Sequence, residues 1–227
     1  MPNEKSKIAT RIKTERGYKR TRQTIAEFQR AGKAAKILLD AVRTAGVKAR
    51  DKALFSRLLG LMFQVIKSDS IHRRGDRTVI NGDIELMRGF DFNANGKLSS
   101  LIFIQPTVSI DRATGTMKVD LPAFIPEDMI KAPLNATHFK IACAAAEVDF
   151  AEGTFVTATA RTEPLPFNDE ELPAPISLTA TVTPNSTKWL ILAVGIAFND
   201  VTADKADSFY ESQYNGMCIV AVSSPDA

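Results

Sequence analysis

The side chains that most often carry catalysis or bind metals are few and widely spaced in this chain. Its two histidines, His72 and His138, lie far apart, and its two cysteines, Cys143 and Cys218, fall in apolar segments. A hydrolytic zinc site needs three protein ligands, yet the sequence has neither a His-Glu-x-x-His nor a Cys-x-x-Cys motif. A free cysteine in an apolar segment usually packs as a small hydrophobic residue. We therefore expect a protein that is not an enzyme and has no cofactor.

One segment has the beginning of a calcium-binding motif. Residues Asp91–Gly96 match the first six positions of a calcium loop, in which oxygen ligands at positions one, three and five converge. Position seven is Lys97 and position twelve is Ile102, where a calcium loop has a bidentate Glu. We expect an Asn-Gly turn that leads into a strand. A weak calcium site is the alternative, with the ligands Asp91, Asn93 and Asn95.

The first 23 residues form a basic, polar segment. Its only acidic residues are Glu4 and Glu15, and its few apolar side chains cannot offset the entropy cost of ordering the chain. We therefore predict a flexible arm over residues 1–23.

Residues 24–90 carry the patterns of a helical region. Thr24 and Glu27 have the spacing of a capping box, apolar residues then recur every three or four positions, and Gly46 is a typical helix stop. Asp51 is a plausible N-cap for a second helix over Lys52–Ser68, which is apolar around most of its circumference. The two helices predict an antiparallel hairpin with an apolar surface that needs a partner.

Residues 91–227 have the patterns of a β domain. Short runs rich in Val, Ile, Thr and Phe are bounded by Gly, Pro, Asn and Asp, which is typical of strands and turns. The predicted strands are Leu98–Gln105, Thr107–Ile110, Thr116–Leu121, His138–Ala144, Thr154–Ala160, Ile176–Val182, Trp189–Ala197 and Met217–Val222. We expect an α+β protein in which a helical hairpin with a basic arm precedes an antiparallel β-sandwich of about eight strands.

Charge is divided unevenly along the 227 residues. Residues 1–90 contain 21 Lys and Arg against 9 Asp and Glu, a formal charge of +12, whereas the remaining 137 residues have a formal charge of −9. Opposed charge in two parts of a chain is typical of a nucleic-acid-binding arm or of a part that meets an oppositely charged partner. The acidic groups include four in the proline-rich segment Glu163–Pro175.

Our main hypothesis is a structural subunit that assembles with other copies of itself. Its basic helical region would contact the acidic sandwich of a neighbour. Binding of nucleic acid through backbone phosphates is the alternative, as in a small capsid protein with a basic arm. The residues expected to mediate these contacts are Lys13, Arg16, Lys19, Arg20, Arg22, Arg30, Lys33, Lys36, Arg43, Glu163, Asp169, Glu170 and Glu171.

Other classes of function receive less support. The chain has no apolar run long enough for a membrane span and no apolar segment near its start that would act as a secretion signal, so we expect synthesis in the cytoplasm. One Trp and three Tyr are few for a carbohydrate-binding surface. We identify no small-molecule substrate.

Several short segments carry a family resemblance. They are residues 26–28, 30–36, 57–58, 74–75, 89–93, 136–140 and 185–188. In these segments the chain resembles a family of uncharacterised proteins from Bacteroidota, and the similarity extends along most of the length. The resemblance implies a bacterial origin and assigns no functional residue.

Overall fold

The computed structural model describes residues 4–134, 136–199 and 214–225. The fold is α+β, with helices first and two packed antiparallel sheets after them. The helices are α1 (Glu4–Thr14), α2 (Lys19–Val42), α3 (Leu54–Ser68) and two single-turn helices, α4 (Leu98–Leu101) and α5 (Pro126–Met129). Short 3-10 helices cover Arg16–Tyr18, Arg43–Ala45 and Ile84–Met87. No described helix combines the length and the apolar composition that a membrane crossing requires.

The segment predicted as a flexible arm contains α1 and the first residues of α2. The Arg22 guanidinium donates hydrogen bonds to the carbonyl oxygens of Ile12 (2.7 Å) and Glu15 (2.8 Å), at the end of α1. A cationic donor at this position satisfies carbonyl groups that have no partner within the helix. The mobility of residues 1–23 stays a prediction.

The start predicted for the first long helix is wrong. Helix α2 begins at Lys19, so Thr24 lies inside it and donates its hydroxyl hydrogen to the carbonyl oxygen of Arg20 (3.1 Å). Glu27, the other member of the expected capping box, binds residues of a distant loop instead. The end is as predicted, because a 3-10 turn leads into Gly46, which has a left-handed backbone (φ 73°).

The two long helices form the expected antiparallel hairpin. The rings of Phe28 and Phe63 meet edge to face, with 5.6 Å between their centroids. One turn further along α2, Gly32 lies beside Leu59, one turn earlier in α3. Because the contact moves forward along α2 while it moves backward along α3, the two helices are antiparallel. Helix α3 begins at Leu54, just after the predicted N-cap Asp51, whose carboxylate accepts the backbone N–H of Ala53 (2.7 Å).

Eight strands follow. They are β1 (Thr107–Asp111), β2 (Thr116–Leu121), β3 (His138–Asp149), β4 (Thr154–Arg161), β5 (Leu165–Pro166), β6 (Ile176–Thr181), β7 (Trp189–Asn199) and β8 (Gly216–Ser223). Seven of them coincide with predicted strands, and β5 was not predicted. The predicted strand Leu98–Gln105 is wrong, because residues 98–101 form α4 and only an isolated bridge at Ile102 follows. The Asp91 carboxylate accepts the N–H of Leu98 (2.9 Å) and so favours the helical turn.

The strands form two sheets with a common core. One sheet has the order β1-β2-β6, and the other has the order β4-β3-β7-β8 with β5 beside β3. All neighbouring strands are antiparallel. Residues that alternate along β7 (Leu190, Leu192, Val194, Ile196 and Phe198) pack in the same apolar cluster as Met117 and Val119 of the smaller sheet.

The larger sheet is also buried on its outer face. Ala144, Ala146 and Ile191 point away from the smaller sheet and have no exposed surface. Val47, in the turn after α2, approaches Gly195 of β7 so closely that an added Cβ atom would lie 3.1 Å from it. The segment between α2 and α3 therefore covers this face.

By its internal contacts, the chain divides into two compact units. The first, called here the helical unit, comprises Met1–Lys36 and Phe55–Leu86. The second, called here the sheet unit, comprises Ile37–Leu54 and Met87–Ala227. The division falls within α2, whereas the sequence predicted segments 1–23, 24–90 and 91–227.

Candidate interaction surface

The helical unit is stabilised by the buried acidic group of Glu27, for which the sequence predicted a capping role. The Glu27 side chain has no exposed surface and accepts two hydrogen bonds from the Arg77 guanidinium (2.7 and 2.9 Å) and one from the backbone N–H of Gly75 (2.7 Å). The hydrogen bonds from Arg77 lower the pKa of Glu27 despite burial. Because the partners lie about fifty positions apart, no local pattern indicates the pair.

A second acidic group organises the loop after α3. The Asp69 carboxylate accepts backbone N–H groups of Ile71 (2.9 Å), His72 (3.0 Å) and Thr78 (3.0 Å) and contacts the His72 ring. Burial raises the pKa of Asp69, but these hydrogen bonds outweigh it and hold the pKa at about 2. His72 is thus a structural neighbour of Asp69, and His138 lies near Thr137 in the sheet unit.

Two of the predicted contact residues have roles within the fold. Arg22 binds the end of α1, and Arg30 donates hydrogen bonds to the carbonyl oxygens of Gly75 (2.7 Å) and Arg77 (3.1 Å). Both are only half-buried.

The other predicted cations are exposed. Among the described residues none of them has an ion-pair partner. They are Lys13, Arg16, Lys19, Arg20, Lys33, Lys36 and Arg43. Their charges are therefore available to a partner, because no acidic group among the described residues forms an ion pair with them.

A groove runs along α2. It has a volume of about 520 Å³, and the small side chain of Ala26 and the lack of a side chain at Gly32 leave room between longer neighbours. The longer side chains that line it are Gln29, Arg30, Lys33 and Lys36. Three large apolar side chains of this helical hairpin are also exposed, namely Ile25 (43%), Phe28 (48%) and Phe55 (47%). The sequence pattern counts Ile25 and Phe28 among the residues of one apolar face of the first long helix and Phe55 among the apolar residues around the second.

Two backbone hydrogen bonds anchor the middle of the acidic segment Glu163–Pro175 of the sheet unit. The N–H of Phe167 donates to the carbonyl oxygen of Thr137 (2.9 Å), and the N–H of Leu172 donates to that of Phe124 (3.0 Å). Between and beside these anchors, four carboxylates are exposed and have no ion-pair partner in the described parts of the chain. They are Glu163, Asp169, Glu170 and Glu171.

The weak calcium candidate is a hydrogen-bonded turn. Asp91 accepts the N–H of Leu98, and Asn93 is buried, with its amide nitrogen donating to the carbonyl oxygen of Asn215 (2.8 Å). The Asn93 side-chain oxygen accepts the N–H of Asn95 (3.0 Å). Within residues 4–134, 136–199 and 214–225, no group of three or more His, Cys, Asp and Glu side chains is arranged to hold a metal ion. These hydrogen bonds give the side chains of Asp91 and Asn93 a structural role, and Asn95 contributes its backbone N–H.

The cysteines lie in apolar surroundings. Cys143 is buried in β3, and burial raises the pKa of its thiol. Cys218 of β8 lines a mostly apolar cavity of about 370 Å³, and burial, together with the nearby Asp91 carboxylate, raises the pKa of its thiol to about 12. Neither thiol is therefore ionised near neutral pH, which disfavours a nucleophilic role.

No family model, curated protein or solved structure matches this chain.

Proposed function

We propose that this protein is a non-enzymatic structural subunit that self-associates through its basic helical region and its acidic sheet unit. The observation that carries the proposal is the presence of two exposed sets of opposite charge, each without ion-pair partners among the described residues. A contact between unlike surfaces of two copies is heterologous, and it generates a ring or a filament.

The exposed apolar residues support a protein partner. Ile25 and Phe28 belong to α2, as do several of the exposed cations, and Phe55 belongs to α3; all three remain accessible to solvent. Exposed apolar surface within a charged rim is typical of protein interfaces, whereas phosphate backbones are bound by cationic and polar groups.

Sedimentation velocity of the full chain tests this proposal. At low ionic strength the weight-average mass should rise with concentration above the 24.8 kDa of one chain. The mass should return towards that of one chain when salt is added, because exposed charges are screened. A single species of 24.8 kDa at every concentration and salt would overturn the proposal.

Binding of nucleic acid is the second candidate. Four of the exposed cations, Lys13, Arg16, Lys19 and Arg20, lie around the junction of α1 and α2. Such a group can contact phosphates without reading the base sequence. Fluorescence anisotropy with labelled duplex DNA and single-stranded RNA should then show binding at low salt that weakens steeply as salt rises. Unchanged anisotropy at low salt would exclude this candidate.

A further inference from the structure

The helical hairpin exposes both cations and large apolar side chains, and we call this set of exposed residues the α2 surface. It comprises Lys33 and Lys36 in the groove and the exposed side chains of Ile25, Phe28 and Phe55. Single exposed apolar residues are ordinary on proteins, but these three lie on two helices that pack against each other. Exposed apolar side chains on the same pair of helices as exposed cations fit a partner that carries both apolar and acidic groups.

Charge argues against pairing of this surface with itself. The helical unit contains 16 Lys and Arg and 7 Asp and Glu, a formal charge of +9. A symmetric dimer through the α2 surface would bring Lys33 and Lys36 of both copies together, and like charges oppose such a contact. The favoured partner is therefore an acidic surface.

The sheet unit has a segment of the required chemistry. Residues 163–175, which we call the acidic loop, contain four carboxylates and no Lys or Arg. Its apolar residues Leu165 and Phe167 are half-buried and Pro166 is exposed. Strand β5, formed by Leu165 and Pro166, pairs with β3, so the loop is presented on a sheet and loses little conformational entropy on binding.

We infer that the α2 surface of one copy binds the acidic loop of a second copy. This inference rests on the proposed function and specifies its interface. Lys33 and Lys36 face the loop carboxylates, and Phe28 is covered by the apolar part of the loop. Each copy uses its α2 surface for one neighbour and its acidic loop for another, so the contact propagates.

A charge-exchange experiment tests the interface. The first variant, Lys33→Glu with Lys36→Glu, makes both contacting surfaces negative. The second, Asp169→Lys with Glu170→Lys and Glu171→Lys, changes the formal charge of the acidic loop from −4 to +2, so that both surfaces are positive. Each variant alone should self-associate at least about tenfold more weakly than the wild type, because like charges then face each other. A mixture of the two variants should associate again, since every contact between the unlike variants joins opposite charges.

Matched controls separate the interface from net charge. Lys97→Glu with Lys131→Glu, and Asp76→Lys with Glu85→Lys and Glu152→Lys, change the net charge by the same amounts as the interface variants, at exposed positions outside both surfaces. These controls should associate like the wild type. Circular dichroism should show that all four variants retain the wild-type fold, because every substituted side chain is exposed.

The outcomes distinguish this inference from the function on which it rests. If the wild type associates and both interface variants associate equally well, the interface is wrong and the proposed function stands. If the wild type is a single chain under all conditions, both fail. If the first variant loses only binding to duplex DNA and still self-associates like the wild type, the α2 surface is a phosphate-binding surface and the inference is overturned.

Discussion

Two buried carboxylates determine much of the local structure of the helical unit. Glu27 joins α2 to the loop around Gly75, and Asp69 holds the loop that follows α3. Both are ionised groups without exposed side-chain surface, and hydrogen bonds from Arg77 or from backbone N–H groups compensate for their lost hydration. A buried charge of this kind is costly to leave without its partner.

The Glu27→Gln substitution should therefore destabilise the protein by about 3 kcal/mol, because it leaves the Arg77 guanidinium without its anionic partner. Urea unfolding followed by circular dichroism measures the change. Asp76→Asn, in the same loop but exposed, is the control and should change the free energy of unfolding by less than about 0.5 kcal/mol. Equal losses in the two variants would contradict the role given to Glu27.

Asp69 predicts a pH dependence of stability. Its pKa in the folded protein is about 2, below the ordinary value of 3.8, so its contribution is complete above pH 3.8 and is lost as the pH falls towards 2. The contribution is about 2 kcal/mol. In Asp69→Asn, the free energy of unfolding should be lower at neutral pH and should fall less between about pH 5 and about pH 2 than in the wild type. Parallel pH curves would contradict this assignment.

At the scale of elements, close packing against β7 sets the position of the segment between α2 and α3. An added Cβ atom at Gly195 would lie 2.9 Å from the carbonyl oxygen of Gly216 in β8 and 3.1 Å from Val47. The backbone of β8 and the Val47 side chain, which lies on the outer face of the sheet, therefore fill the space beside Gly195. By contrast, Gly60 in α3 has open space around it.

These two glycines give a matched pair of substitutions. Gly195→Ala should destabilise the protein by about 1–3 kcal/mol, because the methyl group has to displace backbone or Val47. Gly60→Ala should stabilise it by up to about 1 kcal/mol, because alanine favours the helix and no atom obstructs it. Thermal unfolding measures both effects. A Gly195→Ala variant as stable as the wild type would show that the outer face packs more loosely than described.

For the molecule as a whole, the division of charge is the property with the clearest physical consequence. The exposed cations of the helical unit and the exposed carboxylates of the acidic loop can attract one another between copies. Since these groups face solvent, added salt screens their attraction and weakens the contact. An interface of apolar groups alone would keep its affinity, or bind more tightly, as salt is added.

The self-association constant should therefore fall on the order of tenfold between about 50 mM and about 500 mM NaCl. Sedimentation equilibrium across a salt series measures this dependence. Association that strengthens with salt would indicate that the apolar residues dominate the contact and that the charges contribute little.

The sequence by itself determined the features that depend on neighbouring residues. Short runs rich in Val, Ile, Thr and Phe between turn residues located seven of the eight strands that the structure describes, and glycine at position 46 located a helix end, because both signals act within a few positions. The scarcity of histidines and cysteines and their positions were equally visible. The charge division was likewise visible in the sequence, whereas the contact residues named from it stay a prediction.

The tertiary structure decided what depends on distant partners. Thr24 and Glu27 have the spacing of a capping box, but Arg77 binds Glu27 and the helix starts earlier, at Lys19. The apolar run after Leu98 forms a helical turn because Asp91 binds its first N–H group. The groove and the exposed side of Phe28 were also absent from the sequence pattern, since a helical period identifies the apolar residues but cannot tell which of them a neighbouring element will cover.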